Sequence, residues 1–198
     1  FNVGELDVFD FSQQAKSLSP NTPIVLLASF SKQIYSLIEK RDSSNIDYVF
    51  YWNNSTDVII AIIKLLEDKL NADHDILDMG VRAILLVEDS VRYYSTYLPL
   101  LYKLVLQQNM ESIKDALNEQ QQYMRKRARP KILMATCYDE AVSLYERYKR
   151  NILGVISDVG FVLHKGDSPT TEKIDAGVDL CRLIKKDNPT MPFLMQSS

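Results

Sequence analysis

The 198-residue chain is poor in the residues that build several common kinds of site: it has two cysteines, two histidines and six glycines. Cys137 and Cys181 are too few for a disulfide framework or a zinc cluster, which fits a reducing compartment and a cytoplasmic protein. The scarce glycines form neither a GxGxxG motif nor a P-loop, so the usual phosphate-cradling loops of nucleotide binders are missing. His74 and His164 fall in apparent loops without metal-ligand spacing and read as surface residues, and no Ser/His/Asp set can be assembled. No apolar run approaches the roughly 18 residues of a transmembrane helix, and no signal-peptide pattern opens the chain, so no membrane partner is expected. Positive charge is not in excess either. Lys and Arg number 23 against 26 Asp and Glu, giving a net charge of −3, which argues against a nucleic-acid-binding surface. Residue 1 is Phe, and the chain is expected to be a piece of something longer.

The composition is that of a folded protein, with 46% hydrophobic and 25% charged residues. Short apolar runs alternate with amphipathic stretches, the pattern of an α/β fold with a doubly wound, buried parallel sheet. The runs are Ile24–Ala28, Ile46–Trp52, Ala83–Val87, Ile132–Ala135, Ile152–Ile156 and Phe193–Met195. They are short and rich in β-branched residues, which favours strands over helices. Val58, Ile59, Ile62, Ile63, Leu66 and Leu70 form one helical apolar stripe; Ala141, Tyr145 and Tyr148 form a second, and Leu180, Cys181 and Ile184 a third. The polar, acidic segment 71–80 reads as a linker, dividing the chain into units 1–70 and 81–198.

Val91 to about Arg127 reads as one unusually long helix, with a phase slip before Met110, Ile113, Leu117 and Met124. That last stripe needs a partner, and the same helix of a second copy is expected to supply it, with the helices of the preceding unit as the alternative. The cluster Arg125, Lys126, Arg127 and Arg129 reads as a solvated helix end. The tyrosines at 93, 94, 97 and 102 read as packing or interface residues.

Residues 8–29 lie on residues 177–198 without a gap. Asp10 matches Asp179, Lys16 matches Lys185, Pro20 matches Pro189 and Pro23 matches Pro192. Both copies read as a helix, a proline-bounded turn and a buried strand, and the shared proline spacing points to duplication.

Acid at strand ends is the chemical feature of the chain. Ala83–Val87 runs into Glu88, Asp89 and Ser90, and Ile152–Ile156 runs into Ser157 and Asp158. Sites on open parallel sheets form beyond the carboxyl ends of the strands. Three carboxylates gathered there would repel one another, and a hard divalent cation such as Mg²⁺ would relieve that repulsion.

These residues resemble the receiver domains of two-component response regulators. ILLVEDS (84–90) is similar to the family's first strand with its acidic pair, and ATCYDEAVSLYER (135–147) to its second helix. ILGVISDVG (152–160) is similar to the third strand with its phosphoacceptor, and PFLMQSS (192–198) to the fourth strand with its switch serine. The resemblance spans residues 82–198. It implies a flavodoxin-like sheet of strand order 2-1-3-4-5, here lacking the last helix, strand and helix. It also implies a phosphoryl group on Asp158 and Mg²⁺ held by Glu88, Asp89, Asp158 and the Gly160 carbonyl, with Ser197 bonding the phosphoryl group. The implied partner is a phosphohistidine donor protein, and the implied module is regulatory rather than a stand-alone enzyme.

Residues 1–70 resemble the C-terminal half of a preceding receiver, read as a pseudo-receiver because Ala28 falls at the switch position, or Ser29 if the register slips by one, and Trp52 falls near the family's lysine. In the second unit, Val162 stands where the family usually carries proline. The competing expectations are a scaffold for protein–protein interaction that no longer takes phosphate, and a regulatory segment of a larger enzyme.

Overall fold

A computed structural model describes residues 2–3, 6–29, 44–52 and 54–197. The chain forms two compact units, residues 1–58 and 59–198.

In the first unit, β1 (Asn2–Val3) and β2 (Leu6–Asp7) pair antiparallel, and α1 follows over Val8–Leu18. The Asp7 carboxylate caps α1 by accepting the Phe9 amide at 2.9 Å. β3 (Val25–Ser29) and β4 (Tyr48–Trp52) pair in parallel, with Ala28 and Phe50 buried. Ser29 and Trp52, the strand-end residues, are register partners.

α2 spans Asp57–Leu70 and enters the second unit. The expected linker 71–80 is instead helical: a π-helical turn covers Asp73–Asp78, and Ile76 within it is fully buried in the second unit's core. Its acids are tied down, since Asp73 accepts from Arg147 and Tyr148 while Asp75 pairs with Lys131. The buried stripe of α2 is also rotated from the expected one. Val58, Ala61, Leu65 and Asp68 face inward while Ile59, Ile63 and Leu70 are exposed. The cause is Asp68, whose carboxylate accepts from Tyr102, Arg129 and the Ile132 amide and therefore has to point inward.

β5 (Ala83–Val87), β6 (Lys131–Ala135), β7 (Ile152–Asp158) and β8 (Phe193–Gln196) form a parallel sheet in the order β6-β5-β7-β8. The chain is thus α/β with parallel sheets, and the four strands run second-first-third-fourth across this unit. Ala83, Leu85, Val87, Leu133, Ala135 and Val155 share one core with α5 (Tyr138–Tyr148) and α6 (Ala176–Asp187). On the alternate positions, Leu86, Ile132 and Met134 are buried as well, whereas Leu194 on β8 is 60% exposed.

The expected 37-residue helix is two helices, α3 (Val91–Lys114) and α4 (Glu119–Arg127), packed against each other as a hairpin. The break falls at 115–118. Asp115 closes α3, and Asn118 caps α4, its side-chain oxygen accepting the Gln121 amide at 2.8 Å. The Arg125 guanidinium bonds the Ser112 carbonyl across the hairpin. Arg129 is no solvated helix end: it is buried and paired with Asp68.

The internal repeat survives as geometry. In sequence, α1 (8–18) corresponds to 177–187 of α6. Lys16 at the end of α1 donates to the carbonyls of Pro20 and Thr22 at 3.4 and 2.9 Å. Lys185 at the end of α6 donates to those of Pro189 and Met191 at 3.2 and 2.6 Å, the same positions of the second copy.

Candidate metal centre

β5 and β7 are neighbours, and their register sets Val87 beside Ser157, so Glu88 and Asp158 leave the sheet side by side. One ligand oxygen each from Glu88, Asp89 and Asp158 lies within 4.8 Å of the others. Glu88 is 1% and Asp158 6% exposed. Among the described residues none of the three forms an ion pair.

Neutral donors hold them in place. Glu88 accepts the Ser90 amide on one oxygen and the Gln196 side-chain amide on the other, both at 3.1 Å. Asp158 accepts the Val159 amide at 2.7 Å, and Asp89 accepts the Val162 amide at 3.1 Å. That last bond gives the departure at Val162 a physical meaning, because a proline there has no N–H to give.

Burial pushes the Glu88 carboxyl up to about 8, with the Asp158 and Asp89 charges adding to it and the Ser90 amide opposing. Burial raises Asp89 to about 6, opposed by the Val162 amide and reinforced by the Glu172 and Asp158 charges. Asp158 moves up for the same reason, burial, against the pull of the Val159 amide. Three carboxyls held this close and this dry carry charge only at a cost, and a divalent cation would offset it. The donor set is oxygen only, which suits Mg²⁺ or Ca²⁺ and not a thiophilic metal.

The loop after β7 closes over this end of the sheet. Phe161 is fully buried, stacks on Tyr138 with centroids 6.5 Å apart and bridges to Lys173. Tyr138 and Asp139 donate their amides to the Val162 and Leu163 carbonyls, fastening the loop to the start of α5. Exposed His164 pairs with Asp139 at 2.7 Å, and exposed His74 with Asp75 at 3.0 Å; neither belongs to the carboxylate trio's donor set. α6 begins against β7 itself. Gly177 donates its amide to Val159, and any side chain there would collide with the Asp158 carbonyl.

The other expected site residues lie on the flanking segments. Gly160 is buried two residues past Asp158, close enough to Glu172 that an added Cβ would sit 2.5 Å from the Glu172 Oε1. Ser197 is exposed and directly follows Gln196, the register partner of Asp158. Three contributors were not expected from the sequence: Gln196, the Val162 amide and Glu172. Gln196 carried a usable signal, being polar at the carboxyl end of a strand whose neighbour ends in the site. No family model, curated protein or solved structure matches this chain.

Proposed function

We propose that residues 81–198 act as a phosphoacceptor receiver module that takes a phosphoryl group on Asp158 with Mg²⁺ bound. The observation that carries this reading is the convergence of Glu88, Asp89 and Asp158 at the carboxyl ends of adjacent strands. The strand order β6-β5-β7-β8 agrees with the first four strands of a flavodoxin-like receiver.

In this reading Asp158 is the nucleophile. Its Oδ1 is engaged by the Val159 amide, and its other oxygen is available to form the new O–P bond. The P–N bond of a phosphohistidine donor breaks as that bond forms, and its electron pair leaves with the imidazole. Glu88, Asp89 and Asp158 would hold Mg²⁺, with the Gly160 carbonyl as a further ligand. The ion supplies neutralisation of the charge shared by carboxylates and phosphoryl oxygens. Positioning is the protein's main task, and the hydrogen bonds from Ser90, Val162 and Gln196 perform it. Ser197 would bond a phosphoryl oxygen and report occupancy to the rest of the fold. Residues 1–70 act in this scheme as a pseudo-receiver, and the setting is the cytoplasm.

The test is incubation with acetyl phosphate and MgCl₂, read by intact and peptide mass spectrometry. In a chain extended past Ser198, a phosphoryl adduct on Asp158 that EDTA prevents and Asp158→Asn abolishes is the expected result. No adduct, together with no Mg²⁺-dependent binding of BeF₃⁻, would overturn the proposal and leave the scaffold reading.

A further inference from the structure

β8 is an outer strand of the four-stranded sheet, and its apolar residues are poorly covered. Leu194 is 60% and Met195 45% exposed, and a groove of about 360 Å³ is lined by Leu153, Gly154, Ile156, Pro192 and Leu194. Val155 and Val159 donate their amides to the Pro192 and Gln196 carbonyls. Successive residues of a strand turn their backbone groups to opposite sides, so Pro192, Leu194 and Gln196 face β7. Phe193 and Met195 therefore present theirs to the outer edge, where a further strand could pair.

The internal repeat shows what such an edge takes. Residues 8–29 match 177–198, so Ile24 is the counterpart of Phe193 and Leu26 that of Met195. On the first copy the edge is filled, because β4 pairs with β3 in parallel. The Ile24 carbonyl accepts the Asp47 amide at 2.8 Å. One oxygen of the Asp47 carboxylate accepts both the Ile24 amide and the Lys16 ammonium, each at 2.8 Å. An acid just ahead of β4 thus ties the strand to the edge of β3 and to the end of α1. Lys185 repeats the bonds of Lys16 to two loop carbonyls, but among the described residues no carboxylate meets it. Coverage follows the same difference, since Leu26 is 8% exposed against the 45% of Met195.

We propose that the outer edge of β8 takes a parallel strand of a partner protein, one that opens with an acidic residue and continues with apolar ones. Backbone pairing to Phe193 and Met195 supplies affinity, and the acid, bridging Lys185 and the Phe193 amide, sets direction and register. A base in that place would meet Lys185 with like charge, and prolines in the strand would lack the amides that pair. The inference rests on the repeat and is independent of the phosphoacceptor reading.

Fluorescence anisotropy of a labelled peptide of residues 45–53, titrated with the whole chain, tests it. The peptide is expected to bind. Asp47→Asn in the peptide and Lys185→Gln in the protein are each expected to weaken binding about tenfold, and both together no more than either alone. The peptide variant leaves the protein untouched, and circular dichroism checks that the Lys185 variant remains folded. No binding by the wild type, binding indifferent to both changes, or losses that multiply would each overturn the proposal. A chain extended past Ser198 that no longer binds the peptide would overturn the outside source and give the edge to the chain's own residues. A wild-type dimer that the peptide splits would give it to a second copy instead.

Discussion

At the amino end of the second unit's sheet, Asp68 is fully buried and meets Arg129, Lys131, the Tyr102 hydroxyl and the Ile132 amide. At the carboxyl end, Glu88 and Asp158 are almost as deeply buried, yet among the described residues only neutral amides answer them. Burial costs a carboxylate much the same at either end; what differs is who compensates it. The Asp68 cluster is closed by the protein's own cations and holds α2 to the start of β6. The trio at the other end is left short of positive charge, and that shortage is what a bound cation would make good.

The largest expected effect tests the closed end. Asp68→Ala leaves Arg129 and Lys131 buried without their carboxylate, and urea unfolding should show a loss of about 3–5 kcal/mol. A loss within the range of ordinary surface substitutions would mean that the two ends are not different in kind.

The open end should respond in the opposite direction. Glu88 titrates near 4.5 when unfolded and near 8 when folded, so the folded state holds the proton more tightly between those values. Without metal, stability should be highest below pH 4.5 as far as this group is concerned, and fall as the pH rises towards 8, by at most about 1.4 kcal/mol per pH unit. MgCl₂ should restore what is lost. Glu88→Gln should flatten the fall and remove the response to Mg²⁺ in the same denaturation series. An acid whose removal destabilises the metal-free protein would place Glu88 with Asp68 instead.

A smaller effect probes the neutral donors. Val162→Pro removes the amide that holds Asp89, and calorimetric titration with MgCl₂ should show binding weakened about tenfold or less, about 1 kcal/mol. Unchanged binding would show that the loop contact is incidental to the site.

The six parallel strands were legible as short unbroken apolar runs, and the observed spans differ from those runs by at most two residues at an end, whereas the two-residue strands β1 and β2 carry no such run and were not expected. The acidic trio was legible for a related reason, since each acid lies within two residues of the end of such a run. Asp68 was not legible. It sits in an apolar helical pattern where a lone acid normally faces solvent, and its partners Tyr102, Arg129 and Lys131 are far along the chain. The helix break at 115–118 did leave a local trace, because Asn118 followed by Glu119 and Gln121 is a capping pattern. The phase slip of the apolar residues marked the same place but does not by itself separate a break from a change of partner. The Val162 amide was invisible in principle, as every residue but proline has one.

The hairpin also bears on how the sheet forms. The central strand β5 pairs with β6 across the connection 88–130, whereas β6 reaches β7 through the much shorter 136–151. If both connections were flexible coil, closing the longer would cost roughly 1 kcal/mol more in chain entropy. The antiparallel course of α3 and α4 alters that, because its contacts are local in sequence and turn the end of the connection back towards its start. A hairpin that forms early would shorten the effective loop, so the excursion need not slow the assembly of the central strands.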